Sequence, residues 1–315
     1  MYAIYLIDFN KGSFPNLNMK FSIKVGFCVA YDWNLLRYSL PLIYKQSDII
    51  CLSLDKDRIS WAGNSFEFDT EGFNALIKDI DTEGKISVIE EDFHLPELKP
   101  MENEIRQRSR MADFLGKNEG WHLQLDSDEY FADFEGFTQY LKTIKTKRAI
   151  NICCPWITMY KRIDEGFLMV QPDSFESIEY IPIATNVPHY EHGRRNGYFN
   201  HYTDFAILHQ SWARSKEEVW QKLNNWGHRY DSDINAYFKL WDNAGLSNYK
   251  EYRNFNQTTP KAWPSLFLLP LAKELSVLNL IQRGVSLPIR IRKVDLILKN
   301  SLLWSYILKI ANKFR

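Results

Sequence analysis

An α/β fold with a mainly parallel sheet is what this sequence predicts, on three observations. Short apolar runs alternate with helix-patterned segments through the first half of the chain. The spacing leaves room for a helix between successive runs, as βαβ units require. Asp32, Asp55 and Asp126 each fall just past the end of such a run, and in open parallel sheets ligands gather at the carboxyl ends of the strands.

Ile23 to Ala30 reads as the first buried strand, and Trp33 to Tyr44 as a helix with Pro41 as an irregularity. Ile49 to Leu54 is the second strand and Ile86 to Ile89 the third. Glu102 to Lys117 has the pattern of a polar-faced helix, and Trp121 to Leu125 that of a fourth strand. The middle, residues 149–209, is less regular, with strand-like runs at Ala149 to Ile157 and Phe205 to Leu208 around a polar loop, His189 to His201. A helix is expected from Ser215 to His228, because Ser215 and Glu218 have the Ser-x-x-Glu form in which hydroxyl and carboxylate satisfy free backbone donors. An aromatic helical stretch follows Tyr230.

The chain has 315 residues, 45% hydrophobic and 25% charged, which fits a globular protein and excludes a disordered or fibrous one. Aromatic residues make up 15%, enough for a thick core and a ring-lined cleft. Basic and acidic residues both number 39, so net charge gives nucleic acid no support as a partner. From Lys273 to Arg315, however, nine basic residues face two acidic ones. That basic, apolar tail, with Trp304 and Tyr306 near its end, suits an amphipathic helix on an anionic membrane surface, or one packed on the domain. No run reaches the ~18–20 apolar residues of a membrane span. The apolar start lacks the basic flank of a signal peptide. Residues 1–18 are expected to be an extension, with translation starting at either Met1 or Met19, residues 19–259 the main domain and residues 260–315 a basic amphipathic helical extension. Cys28, Cys51, Cys153 and Cys154 lie in apolar runs and read as buried free thiols, which suits a reducing cytoplasm.

The sharpest motif is Leu125-Asp126-Ser127-Asp128-Glu129-Tyr130-Phe131. Two carboxylates one residue apart at a strand end can both reach a hard dication, and Mg²⁺ or Mn²⁺ keeps positions open for phosphates. Five of the seven histidines lie between His189 and His228. The spacing His189-x-Glu191-His192 is not the H-E-x-x-H of a zinc helix. His122 reads as a structural histidine, and His228 as the cation at a helix end.

These residues resemble a family 2-type glycosyltransferase of the GT-A fold, a Rossmann-like sheet flanked by helices. The resemblance rests on the strand-end aspartates, the Arg-bearing helix and W-x-L-x-L-D-S-D-E-Y-F. The run Ile207 to Glu218, with Lys222 beyond it, is similar to an H-x-x-x-x-R-S-x-E-E…K stretch of bacterial enzymes that build lipopolysaccharide core or surface polysaccharide. It spans roughly Lys24 to Asp231. The resemblance implies that Asp126 and Asp128 hold the metal, with His209 as a further ligand of metal or diphosphate. It implies that Tyr31, Asp32 and Asp55 contact the nucleotide sugar, and that Arg108 or Arg110 meets the phosphates. The sequence reads Q-R-S-R where the family commonly has A-R-N, which leaves both arginines open. Glu191 is the expected base, and Glu129 orients the acidic loop. The implied reaction moves a sugar, with inversion, from a nucleotide sugar (UDP-linked by expectation) to a surface glycan or lipid-linked acceptor at the inner face of the cytoplasmic membrane. Two rivals stand beside it. A sugar-nucleotidyltransferase should have a Gly-rich, basic loop after the first strand, where this chain has AYDWN. A degenerate domain that only binds glycan or a partner should lack metal-dependent nucleotide affinity.

Overall fold

The computed structural model describes residues 21–117, 120–256, 258–270, 280–281 and 291–301. The expected N-terminal extension, the two candidate starts at Met1 and Met19 and most of the basic tail lie outside those residues.

Four parallel strands form the heart of the sheet: β1 (Ile23–Val29), β2 (Ile49–Asp55), β3 (Ile86–Glu91) and β4 (Trp121–Asp126), in the order β3-β2-β1-β4. Alternation along the strands decides which helix covers which face. Ile23, Val25, Phe27 and Val29 of β1 join Ile50, Leu52 and Leu54 of β2 in one core. Its cover comes from α1 (Leu36–Tyr44), α2 (Thr70–Ile80) and α4 (Phe134–Thr143), through Leu36, Leu40, Phe73 and Phe137. Cys28 and Cys51 point to the other face, against Met111 and Leu115 at the end of α3 (Pro100–Phe114). Gly26 is part of that contact, since a Cβ there would sit 3.1 Å from the Met111 sulfur. All four cysteines are buried free thiols, as expected.

Beyond β4 the pairing turns antiparallel. The strand β8 (Tyr180–Thr185) lies on β4, and β6 (Ile150–Ile163) lies on β8. The strand β7 (Gly166–Gln171) follows on β6, and β11 (Ser265–Pro270) on β7. Short strands β5 (Glu129–Phe131) and β10 (Ile207–His209) pair with each other, and β10 also runs parallel to β6. β9 (Phe199–Tyr202) pairs with β6 as well.

The expected boundary at residue 259 is corrected. Residues 265–270 form a strand, not the start of a helical extension, and extend the sheet residue for residue along β7. Pro264 and Pro270 bracket this apolar run, and prolines at both ends leave too little chain for a helix. Trp263 is buried with Trp212, Tyr237 and Trp241 in a second core under α5 (Lys216–Asn225) and α6 (Ile234–Asn243). The capping box at α5 forms as expected: the Ser215 hydroxyl accepts from the Glu218 N–H at 3.2 Å, and the Glu218 carboxylate accepts from the Ser215 N–H at 2.9 Å.

From the basic tail, α7 (Lys293–Asn300) is described. Asn300 exchanges two hydrogen bonds with the Tyr202 backbone, at 2.7 and 2.8 Å. The Lys299 ammonium lies 4.5–4.8 Å from the rings of Phe175, Tyr180 and Tyr202. Val294, Ile297 and Leu298 remain exposed on this helix. Among the described residues no helix is long and apolar enough to cross a membrane.

Candidate active site

A cavity of about 610 Å³ opens where the carboxyl ends of β1, β2 and β4 meet α5 and the loops around residues 192–195 and 226–232. Its volume is in the range of small-molecule and cofactor pockets. Tyr31, Asp32, Asp55, Arg108, Asp126, Asp128 and His209 all line it.

Asp128 is the most heavily contacted of them. The ammonium of Lys222 donates to its Oδ2 at 2.7 Å, and Arg214 donates to the same oxygen. Burial opposes ionisation of this carboxyl, but the cations of Lys222 and Arg214 hold it well below the usual range. Arg214 also reaches Asp32 at 3.0 Å. Burial outweighs that contact and raises Asp32. Lys222 comes from α5, so the helix set by the Ser215–Glu218 box delivers a cation to the acidic loop.

Asp126 turns the other way. Its Oδ1 accepts from Arg108 at 2.7 Å, and Oδ2 lies 3.7 Å from Arg194. Those two guanidinium groups overcome its burial and lower its pKa. Arg108 is itself fixed by Glu104 one helical turn away, at 2.9 Å. Glu129 does orient the acidic loop: its carboxylate accepts the Asp126 N–H at 3.1 Å and binds Arg194 through both oxygens.

The two open arginines are resolved by position. Arg108 is 1% exposed and on the cavity, whereas Arg110 is an exposed side chain paired with Glu91 at 2.9 and 3.1 Å. Asp55 lines the cavity, but its carboxylate is engaged by four backbone N–H groups, of Asp57 and Ile59 at 3.0 Å, Phe93 at 2.9 Å and His94 at 3.1 Å. It shapes the wall by locking the loops after β2 and β3. Glu191 is not brought to the cavity. It is exposed, bonds the His189 ring at 3.1 Å and is absent from the lining. The His192–Arg195 turn accounts for this, since it aims Arg194 inward and leaves Glu191 outside.

The expected metal trio of Asp126, Asp128 and His209 is not gathered: among the described residues no three His, Cys, Asp or Glu side chains are grouped to hold a metal. A pair is. Asp128 Oδ1 stands 3.6 Å from His209 Nε2, too far for a hydrogen bond. The other ring nitrogen of His209, Nδ1, is buried and without a hydrogen-bond partner among the described residues. The ring stacks flat on Trp156, with centroids 3.9 Å apart. Burial keeps this imidazole neutral, with its pKa pushed down to about 3. A neutral, unbonded imidazole facing a carboxylate oxygen is a donor set that fits a dication, and Mg²⁺ or Mn²⁺ takes its other ligands from phosphate and water. Asp126 is the departure, because its oxygens are committed to arginines.

Three groups on the cavity were given no role by the sequence. Arg194 and Arg195 sit in a Gly-Arg-Arg run that shows no pattern, and Glu179 lies in a polar segment before β8. Burial pushes the Glu179 carboxyl up to about 7.

No family model matches the chain, and no curated protein does. Among solved structures it has a partial likeness to 4-diphosphocytidyl-2C-methyl-D-erythritol synthase from Anaerococcus prevotii, at 16% identity and a TM-score of 0.33, covering 55% of this chain and 72% of that one. The α/β assignment stands on the strand order described above.

Proposed function

We propose that this protein is a nucleotide-sugar-dependent glycosyltransferase that moves a sugar, with inversion, onto a bacterial surface glycan or lipid-linked acceptor. The observation that carries the reading is the Asp128–His209 gap beside Arg214 and Lys222, on a cavity at the strand ends. Departure of a nucleoside diphosphate builds negative charge on its oxygens, and preorganised cations in a dry site lower that barrier. Lys222, which lines the cavity, has N–H donors beyond the one that Asp128 accepts, and these can meet phosphate oxygens, while Arg214 stands behind the lining and fixes Asp32 and Asp128. Arg108 and Arg194 hold Asp126 and the acidic loop rigid. Tyr31 and Asp32 wall the side next to β1, where the nucleoside is placed. Asp128 and His209 would hold Mn²⁺ or Mg²⁺, which supplies Lewis-acid stabilisation of the leaving diphosphate when bound. The exposed Val294, Ile297 and Leu298 on α7, beside Lys293 and Lys299, are consistent with a peripheral site on the inner face of the cytoplasmic membrane, close to a lipid-linked acceptor.

The test is calorimetric titration with nucleoside diphosphates in Mn²⁺, run beside a hydrolysis screen of nucleoside-diphosphate hexoses. Metal-dependent affinity and turnover, both lost in Asp128→Ala with folding intact, are expected. Affinity without turnover of any donor would favour a binding module, and no affinity at all would remove the donor reading.

A further inference from the structure

Glu179 differs from the other carboxyl groups around the cavity in what it touches. Asp32, Glu104, Asp126 and Asp128 pair with arginine or lysine, Asp55 is engaged by backbone N–H groups, and Asp231 pairs with His228. Glu179 accepts only from neutral donors, the Trp263 indole N–H at 2.7 Å and the Thr158 hydroxyl at 3.4 Å. Both bonds go to Oε2. Oε1 has no partner among the described residues, although the residue lines the cavity. Two donors therefore fix the carboxyl and leave one oxygen for something that enters.

Its place relative to the metal-fitting pair follows from strand register. Thr158 on β6 pairs with His209 on β10. Trp156, two residues earlier and so on the same face, carries the His209 stack, and its N–H donates to the Glu179 carbonyl at 2.8 Å. Glu179 thus flanks Trp156 on the β8 side, across β6 from His209 on β10. Trp156, Trp263 and Tyr237 line the cavity with it, and aromatic faces of this kind suit a sugar ring.

We infer that Glu179 is the base that activates the acceptor, an inference that rests on the glycosyltransferase reading. An acceptor hydroxyl hydrogen-bonded to Oε1 gives its proton to Glu179 as its oxygen forms the new bond to the anomeric carbon. The bond from that carbon to the diphosphate breaks, and its electron pair leaves with the diphosphate. Water in the hydroxyl's place reacts in the same way and gives donor hydrolysis. The charged group nearest in influence is Arg195, which lines the same cavity and favours the carboxylate without forming an ion pair with it.

The experiment compares wild type with Glu179→Gln, which keeps the size of the side chain and an oxygen for the Trp263 N–H. The probes are nucleoside diphosphates for binding and nucleoside-diphosphate hexoses for hydrolysis, in Mn²⁺. The expected loss in kcat is roughly 100-fold or more, the usual share of a general base, while nucleoside-diphosphate affinity stays within about twofold of wild type. The wild-type rate should fall on the acid side of neutrality, and that limb should vanish in Glu179→Gln. Trp263→Phe removes a donor to the charged form, so its limb should move to higher pH while turnover persists. A Glu179→Gln variant that keeps both rate and acid limb would overturn the assignment and leave the donor reading intact. A wild type that binds no nucleoside diphosphate would overturn both.

Discussion

The ring of His209 lies flat against the indole of Trp156, 3.9 Å between centroids and 10° from parallel, with its Nε2 edge turned to Asp128. The stack fixes an imidazole whose Nδ1 is buried and has no hydrogen-bond partner among the described residues. Mn²⁺ affinity, read from quenching of the free-ion resonance, is therefore expected to fall at least tenfold in His209→Ala and in Asp128→Asn. In Asp126→Asn it should stay within about threefold of wild type, since Arg108 and Arg194 occupy that carboxylate. Equal losses in all three variants would restore Asp126 as a ligand.

Arg194 neutralises a glutamate that has no exposed side-chain surface. Removing one partner of a buried pair leaves an uncompensated charge, at a cost of about 3–5 kcal/mol. Arg194→Met should therefore lower the urea midpoint clearly more than Arg110→Met, whose pair with Glu91 is exposed and screened by solvent. Similar midpoints would mean that water reaches Glu129.

The raised pKa of Glu179 gives stability a pH dependence of known sign. Its folded value, about 7, lies above that of a free glutamate, so the folded chain binds the extra proton. That contribution is fully present below the unfolded pKa and is lost as pH rises through 7. Urea unfolding should show Glu179→Gln gaining on wild type between pH 5 and pH 8. A constant difference across that range would contradict the burial of this carboxyl.

A chain ending at residue 259 would lose Trp263 and the whole of β11, and with them the 2.7 Å donor to Glu179. It should unfold at markedly lower urea concentration than a chain ending at residue 301. Matching midpoints would show that the sheet is complete without β11.

The parallel half of the fold was legible because each strand is a contiguous apolar run and each covering helix is local. The acidic loop was legible for the same reason: Asp126, Asp128 and Glu129 are neighbours at the end of one strand. Lys222 and Arg214 stood in a motif that marked them, although their contact with Asp128 spans 94 and 86 residues. Glu179 carried no mark, because what makes it part of the site is the register of β6 with β8 and β10, and Arg194 carried none because the His192–Arg195 turn brings it inward. Glu191 was selected by its histidine neighbours, yet a turn of four residues decides which side chains of that loop face inward. The strand at 265–270 was read as helix because a short leucine-rich run has no period of its own.

The clasp of Arg214 and Lys222 on Asp128 also changes what loading the pocket involves. The cavity wall is electrically balanced from within, by a carboxylate that keeps two cations in place and largely out of water. On the proposed donor reading, a diphosphate takes over Lys222 by counterion exchange: that ammonium is already stripped of most of its hydration, so little new charge has to be dried at the moment of capture.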